Sequence, residues 1–337
     1  NICNGLGHLI LGQFAHHSTA FYEHEVIRNE KILTDKKDDF EARNDLGAAY
    51  LKLGEWAAAE NEFKKNEALY PVRYKTASNL GVLYKKIGRY QEAGESIKLA
   101  LQIKAGGHMG LGDYYLKMIK WLELRDSLPK DKLPENDFIG ISFEADVNAH
   151  AEAADRDFVI TLIKNDYQFG AVYFLLGDIL QQEGKLQLAL RAYNRSAYLD
   201  RAFVALANSR IEHLRDYWTS NKESGYIVES RTYHSNQLDN EVNNAENWLA
   251  SFQKLEAERL KQDLPVTFEH TLPALAAQGI SKPQIFDAIY YKGEETTRGG
   301  LSTEIVVIAL LVTFVVIVAI MFFLVRFLLK KVKKTSA

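Results

Sequence analysis

Four histidines stand near the start of the chain, His8, His16, His17 and His24, with the single cysteine, Cys3, close by. Imidazole nitrogens and a thiolate are ligands that zinc and copper accept. The spacing argues against a site. One cysteine cannot make a haem attachment motif, which needs two, and no HExxH pair is present. His17 and His24 share a face only if one helix spans both. The four histidines are therefore expected on the surface or partly packed, with no metal and no cofactor. Other chemistry-bearing patterns are also missing: no GxSxG elbow, no phosphate-loop glycine–lysine motif, no dinucleotide fingerprint. The acidic residues Glu60, Glu62, Asp178 and Glu183 fall where helix surfaces are expected. Asn194-Arg195-Ser196 matches a glycosylation acceptor but lies inside a predicted helix. No catalytic residue is assigned, and the chain is read as a non-enzyme.

Composition narrows the class further. The formal net charge of −3 over 337 residues lacks the basic footprint that nucleic-acid binding needs. A lone cysteine makes no internal disulfide and says nothing of redox compartment. The first residue is Asn1 rather than Met, which is consistent with removal of a signal peptide and equally with a late start.

What positions these side chains is a repeat. Leu46, Gly47 and Tyr50 recur 34 residues later as Leu80, Gly81 and Tyr84, and Gly54 recurs as Gly88. Trp56 becomes Tyr90, Ala59 recurs as Ala93, and Phe63 becomes Ile97. A further copy from Gly170 carries Leu176, Gly177, Gly184, Ala189, Tyr193 and Leu199. Each unit holds two apolar periodicities separated by a turn whose glycine can end a helix in the left-handed conformation. Gly47 and Ala59 are small where two helices must approach, and Leu46, Tyr50, Leu53 and Trp56 are expected to fill the gap. One such helix pair cannot bury its own apolar stripe, so neighbours must stack. The period and spacing resemble the tetratricopeptide repeat. The predicted fold is all-α: a tetratricopeptide solenoid plus one C-terminal transmembrane helix.

The predicted organisation runs in five parts. Residues 1–39 form an N-terminal segment and a capping helix that starts after Ser18. Residues 40–219 form the array, with clear units at 40–73, 74–107 and 170–203. A third unit from Leu111, Gly112, Tyr115 and Trp121 has a short second helix ending near Pro129 and Pro134. The gap up to Gly170 has room for two slightly shortened units, and residues 202–218 resemble a terminal cap. Residues 220–300 give a helical arm, Gln237 to Lys261, which could pack on the array or reach a partner, and a polar tether. Residues 301–329 are the predicted membrane helix. Within it Ile305 to Leu324 carries no charge and at about 1.5 Å per residue spans about 30 Å of bilayer. Lys330 to Ala337 is a basic tail that the positive-inside rule places in the cytoplasm, leaving the repeats periplasmic or extracellular.

The family resemblance implies a binding function. Tetratricopeptide proteins grip extended peptides or helices in a concave groove lined by the first helix of each unit. On that alignment Asn44, Lys52, Ser78, Lys85, Lys86 and Asp178 face a ligand. Members that grip a carboxylate use an asparagine where this chain has Ala48 and Val82, so a C-terminal carboxylate is not the expected ligand. The expectation is a membrane-anchored scaffold that binds a protein partner outside the cytoplasm through an acidic or amphipathic segment. Two alternatives share the fold: a structural subunit of a multi-subunit membrane complex, and an assembly or maturation factor for envelope or respiratory proteins.

Overall fold

The computed structural model describes residues 5–14, 16–107, 110–220 and 235–283. Every regular element among them is helical. Short α1 (Leu6–Ile10) and long α2 (Thr19–Asp35) precede the helix pairs α3 (Phe40–Leu53) with α4 (Trp56–Leu69) and α5 (Tyr74–Lys86) with α6 (Tyr90–Ile103). Then come α7 (Gly112–Asp126), α8 (Val147–Ala153), α9 (Arg156–Asn165), the pair α10 (Gly170–Gln182) with α11 (Leu186–Leu199), and α12 (Val204–Ser220). The described chain closes with α13 (Ser235–Lys261) and α14 (Phe268–Ala277).

The pairs form because the sequence supplies both a close approach and a turn. A Cβ on Gly47 of α3 would sit 2.5 Å from the Phe63 ring of α4. On Gly81 it would sit 2.7 Å from Ile97 Cγ1, and on Gly177 2.5 Å from the Tyr193 ring. Real Cβ contacts are never so short, so glycine is what lets each pair close. Gly54, Gly88 and Gly184 turn the chain between paired helices with φ of 80, 75 and 72°. After each, the next amide reaches back to the last turn of the first helix: Glu55 to the Tyr50 carbonyl, Arg89 to Tyr84 and Lys185 to Leu180, at 2.8–2.9 Å. This satisfies carbonyls that a helix end leaves open. Side-chain oxygens of Ser18 and Asp39 cap α2 and α3 by accepting from the Phe21 and Ala42 amides. Second helices then pack on the first helix of the following pair, α4 on α5 and α6 on α7, while α2 lies along α3 ahead of the array.

The region from 107 to 170 departs from the two shortened units expected there. Helix α7 runs unbroken to Asp126, with no second helix before Pro129. Loop 127–146 and α8 follow, and α9 takes the second-helix place, with Phe158 against Tyr114 of α7 (ring centroids 5.4 Å apart) and α9 packed on α10. This is one unit with an expanded turn. The insertion is held by aromatic burial: Phe138 on Phe169, and Phe143 on Phe174 and Phe203, at 5.4–5.7 Å. Helix α8 covers α10.

Of the two placements open to the long helix, against the array or out towards a partner, the structure shows the first. Helix α13 packs on α2 at one end of the array and α11 at the other, and α14 packs on α13. Glu256, fully buried, accepts from the Ser18 amide (2.6 Å) and lies 2.6 Å from His17 Nδ1. Arg191 of α11 donates to Glu241 at 2.8–2.9 Å.

The expected membrane anchor is corrected. No described helix is long and apolar enough to cross a membrane. Helix α13 has the length, 27 residues, but Asp239, Glu241, Glu246, Lys254, Glu256, Glu258, Arg259 and Lys261 break its apolar stripe. A span needs about 20 predominantly apolar residues in succession. Ile305 to Leu324 and the tail 330–337 lie outside the described residues, as do Cys3 and the tether beyond 283. The supported fold is the all-α repeat solenoid alone. The transmembrane helix, the single-pass topology, the bilayer contact and the periplasmic or extracellular placement are not carried forward.

Candidate functional site

The first helices of successive units stand side by side, and between α3 and α5 they leave a groove of about 270 Å³. Ala48, Leu51 and Lys52 come from α3, and Asn79, Val82 and Lys86 from α5. Leu111 and Tyr115 at the start of α7 and Asn165 at the end of α9 complete the lining. Spacing of three or four residues, about one turn, puts residues 48, 51 and 52 on one face of α3 and residues 79, 82 and 86 on one face of α5. The groove thus offers an aliphatic wall, two amides and two ammonium groups. Lys52 and Lys86 are both exposed, and neither has an ion-pair partner among the described residues. Partial burial against the groove wall, and then the nearby Lys86, hold the Lys52 ammonium below the usual lysine range, with Asp166 pulling the other way. A site with one cation crowding another is short of negative charge.

Of the residues expected to face a ligand, only Lys52 and Lys86 line this groove. Asn44 is fully buried; it donates to the Phe40 carbonyl at 3.2 Å and accepts from Thr76 Oγ1 at 3.3 Å, tying α3 to α5. Ser78 is half-buried on α5, away from the lining. Lys85 is buried, paired with Asp166 at the end of α9 and set 5.2 Å over the Tyr115 ring. Burial opposes its charge, but Tyr115 and Asp166 outweigh that and hold its pKa above the ordinary lysine value. Lys85 therefore closes one end of the groove as a structural ion pair. Asp178 is fully buried beneath α8 and reaches no ligand surface.

The expected core positions divide in the same way. Leu46, Ala59, Leu80, Tyr84, Ala93, Leu176 and Ala189 are buried, and Gly47, Gly81 and Gly177 sit at the close approaches already described. Tyr50 is half-buried and donates to Glu30 at 2.9 Å. Trp56 is 40 % exposed. It opens α4 and lies over the Gly54 turn instead of filling the gap between α3 and α4; Phe63, fully buried, fills that gap.

The histidines have separate jobs. His8 lies 2.6 Å from Gln13, and His17 pairs with Glu256 and stacks on Phe21 and Phe268. His16 stacks on Tyr167 at 4.6 Å, and its pKa is lowered to about 4 by burial, then by Lys52. His24 is exposed beside Glu25. Among the described residues no group of His, Cys, Asp and Glu is placed to hold a metal ion.

Two segments, 74–106 and 170–203, match the family model for the tetratricopeptide repeat. They correspond to α5–α6 and α10–α11, two of the three pairs with a glycine close approach. No curated protein matches the chain. Repeats of this family are typically non-catalytic binding scaffolds.

Proposed function

We propose that the chain is a protein-binding scaffold whose groove between α3 and α5 takes an acidic, amphipathic segment of another protein. One observation carries this reading: Lys52 and Lys86 flank an aliphatic wall of Ala48, Leu51 and Val82, exposed and in no ion pair among the described residues. Apolar side chains of a bound segment would cover the wall, and its carboxylates would answer the two ammonium groups. The Lys85–Asp166 pair and Tyr115 keep the floor rigid, so the groove is formed before a ligand arrives. A membrane complex is no part of this proposal, because the described helices provide no anchor.

The test is a peptide-display selection on the full chain and on the Lys52→Glu/Lys86→Glu double variant. Wild type should enrich peptides in which Asp or Glu alternates with aliphatic residues at helical or extended spacing. The double variant should lose that set and keep its thermal midpoint, because exposed charges contribute little to stability. Lys85 stays in place, since reversing a buried partner of Asp166 would disturb the fold. Enrichment of the same peptides by both proteins, or of none by wild type, refutes the groove.

A further inference from the structure

Beyond the groove, a buried polar cluster joins side chains from five elements: Asp137 in loop 127–146, His150 on α8, Asp178 on α10, Tyr193 on α11 and Arg210 on α12. His150, Asp178 and Tyr193 are fully buried, and Asp137 is 5 % exposed. Asp178 Oδ1 accepts from the Tyr193 hydroxyl at 2.7 Å and from Arg210 Nε at 3.1 Å. Its Oδ2 faces His150 Nδ1 at 3.4 Å, and that nitrogen also lies 3.4 Å from the Asp146 carbonyl. On the other edge of the ring, His150 Nε2 faces Asp137 Oδ2 at 3.6 Å. Asp137 Oδ1 accepts from the Ile139 and Ile141 amides at 2.9 Å each. Arg210 also donates to the Ala145 carbonyl at 2.9 Å.

Two features of this arrangement point the same way. Both ring nitrogens of His150 face acceptors only, while Asp137 Oδ2, His150 Nε2 and Asp178 Oδ2 have no hydrogen-bond partner. An imidazole between two carboxylates satisfies both edges only when a proton is available for each. The charge count agrees. Two carboxylates against one guanidinium leave one negative charge in a buried site, and burying an uncompensated charge is strongly unfavourable. One added proton makes the cluster neutral.

We propose that this cluster is a proton-operated latch: holding one extra proton, it fastens loop 127–146 and α8 onto α10, and losing that proton releases them. Burial pushes the carboxyls of Asp137 and Asp178 up from their ordinary range, against the pull of amides and His150 on the first and of Arg210 on the second. A raised carboxyl pKa stabilises the closed form fully at low pH and loses that contribution as pH rises through the raised value. The latch is therefore closed on the acid side and opens towards the alkaline side. Opening would lift Phe138 and Phe143 off Phe169, Phe174 and Phe203, baring an aromatic face beside the array.

Amide hydrogen exchange on the full chain between pH 5 and 9, expressed as protection over the intrinsic rate, tests the latch. Amides of α8 and of residues 139–143 should lose up to about tenfold in protection per pH unit above the titration point, the dependence expected for one linked proton. Amides of α5, remote from the cluster, should show no such slope. Asp137→Asn removes one charge and keeps an oxygen for the Ile139 and Ile141 amides. It should abolish the slope and keep α8 protected at pH 9. Equal behaviour of α8 and α5 in wild type, or an unchanged slope in D137N, overturns the proposal. Should D137N not fold, the wild-type comparison of α8 with α5 decides alone.

Discussion

Replacing Gly177 with alanine asks whether the helix pairs are set by side-chain contact at the glycines. The new methyl would sit 2.5 Å from the Tyr193 ring. That ring cannot give way easily, because it is fully buried and its hydroxyl is tied to Asp178 at 2.7 Å and Gln181 at 2.8 Å. Overpacking of this kind costs about 1–3 kcal/mol. If the ring shifts, Asp178 loses a hydrogen bond to a buried charge, a further ~1.5–3 kcal/mol. Alanine returns about 1 kcal/mol through its helix propensity. With the ring shifted, the expected net loss is about 1.5–5 kcal/mol. Gly81→Ala is the control. Its methyl would meet the flexible end of Ile97, at 2.7 Å from Cγ1, with no polar group attached. A rotamer change relieves that contact, and the ~1 kcal/mol helix gain offsets most of what remains. Urea unfolding of the full-length variants, followed by circular dichroism, gives the comparison. Equal losses for Gly177→Ala and Gly81→Ala would show that the tether on Tyr193 plays no part and that the contact argument is wrong.

Two smaller perturbations follow from strained or buried groups. Val72 holds φ at 61°, a left-handed conformation that costs a β-branched residue about 1–2 kcal/mol, and its side chain is 67 % exposed. Val72→Asn should therefore raise stability by about 1 kcal/mol, seen as a higher thermal midpoint, and a fall would show that the valine makes a contact worth more than the strain. His16 has its pKa lowered from 6.5 to about 4, so the folded chain binds its proton later than the unfolded chain does. Its contribution to stability is present above pH 6.5 and is lost as pH falls towards 4. His16→Phe, which keeps the stack on Tyr167, should reduce the loss in urea midpoint between pH 7 and pH 4.5; an identical loss in both proteins would locate the acid sensitivity elsewhere.

The parts of this fold that could be read from the sequence are those fixed by neighbours within one unit. Gly47 and Phe63, Gly81 and Ile97, and Gly177 and Tyr193 are each 16 residues apart, so a repeating pattern announces the contact. Gly54 and Gly88 announce their turns because only a residue tolerant of positive φ ends those helices cheaply. Burial imposed from outside the repeat leaves no such trace. Asp178 sits on α10 where the pattern places a ligand-facing residue, but α8, an insertion of no regular period, covers that face. Lys85 and Lys86 are adjacent and chemically alike. A difference of about 100° around the helix sends one into the Asp166 pair and the other into the groove. Trp56 looks like core by size, yet its place at the first residue of α4 puts it over the turn. The apolar run Ile305 to Leu324 reads as a membrane span by composition, and the described helices supply no such element.

The groove's shape depends on a helix that does not line it. A stack of helix pairs touches only its neighbours, so its curvature is soft unless something joins distant units. Helix α13 makes that join. Glu256 holds His17 and Ser18 just before α2, and Glu241 holds Arg191 on α11. The two anchor points are separated by about 22 Å along the helix at ~1.5 Å per residue. Between them the apolar residues Val242, Ala245, Trp248 and Phe252 are buried. Because Glu256 is fully buried and accepts from a backbone amide as well as facing His17, its removal would strand polar groups at both ends of the contact. The strut thus fixes the distance between α2 and α11, and through α2 the position of α3. One wall of the groove is thereby held from behind, which is the pre-organisation that binding an extended segment with few contacts requires.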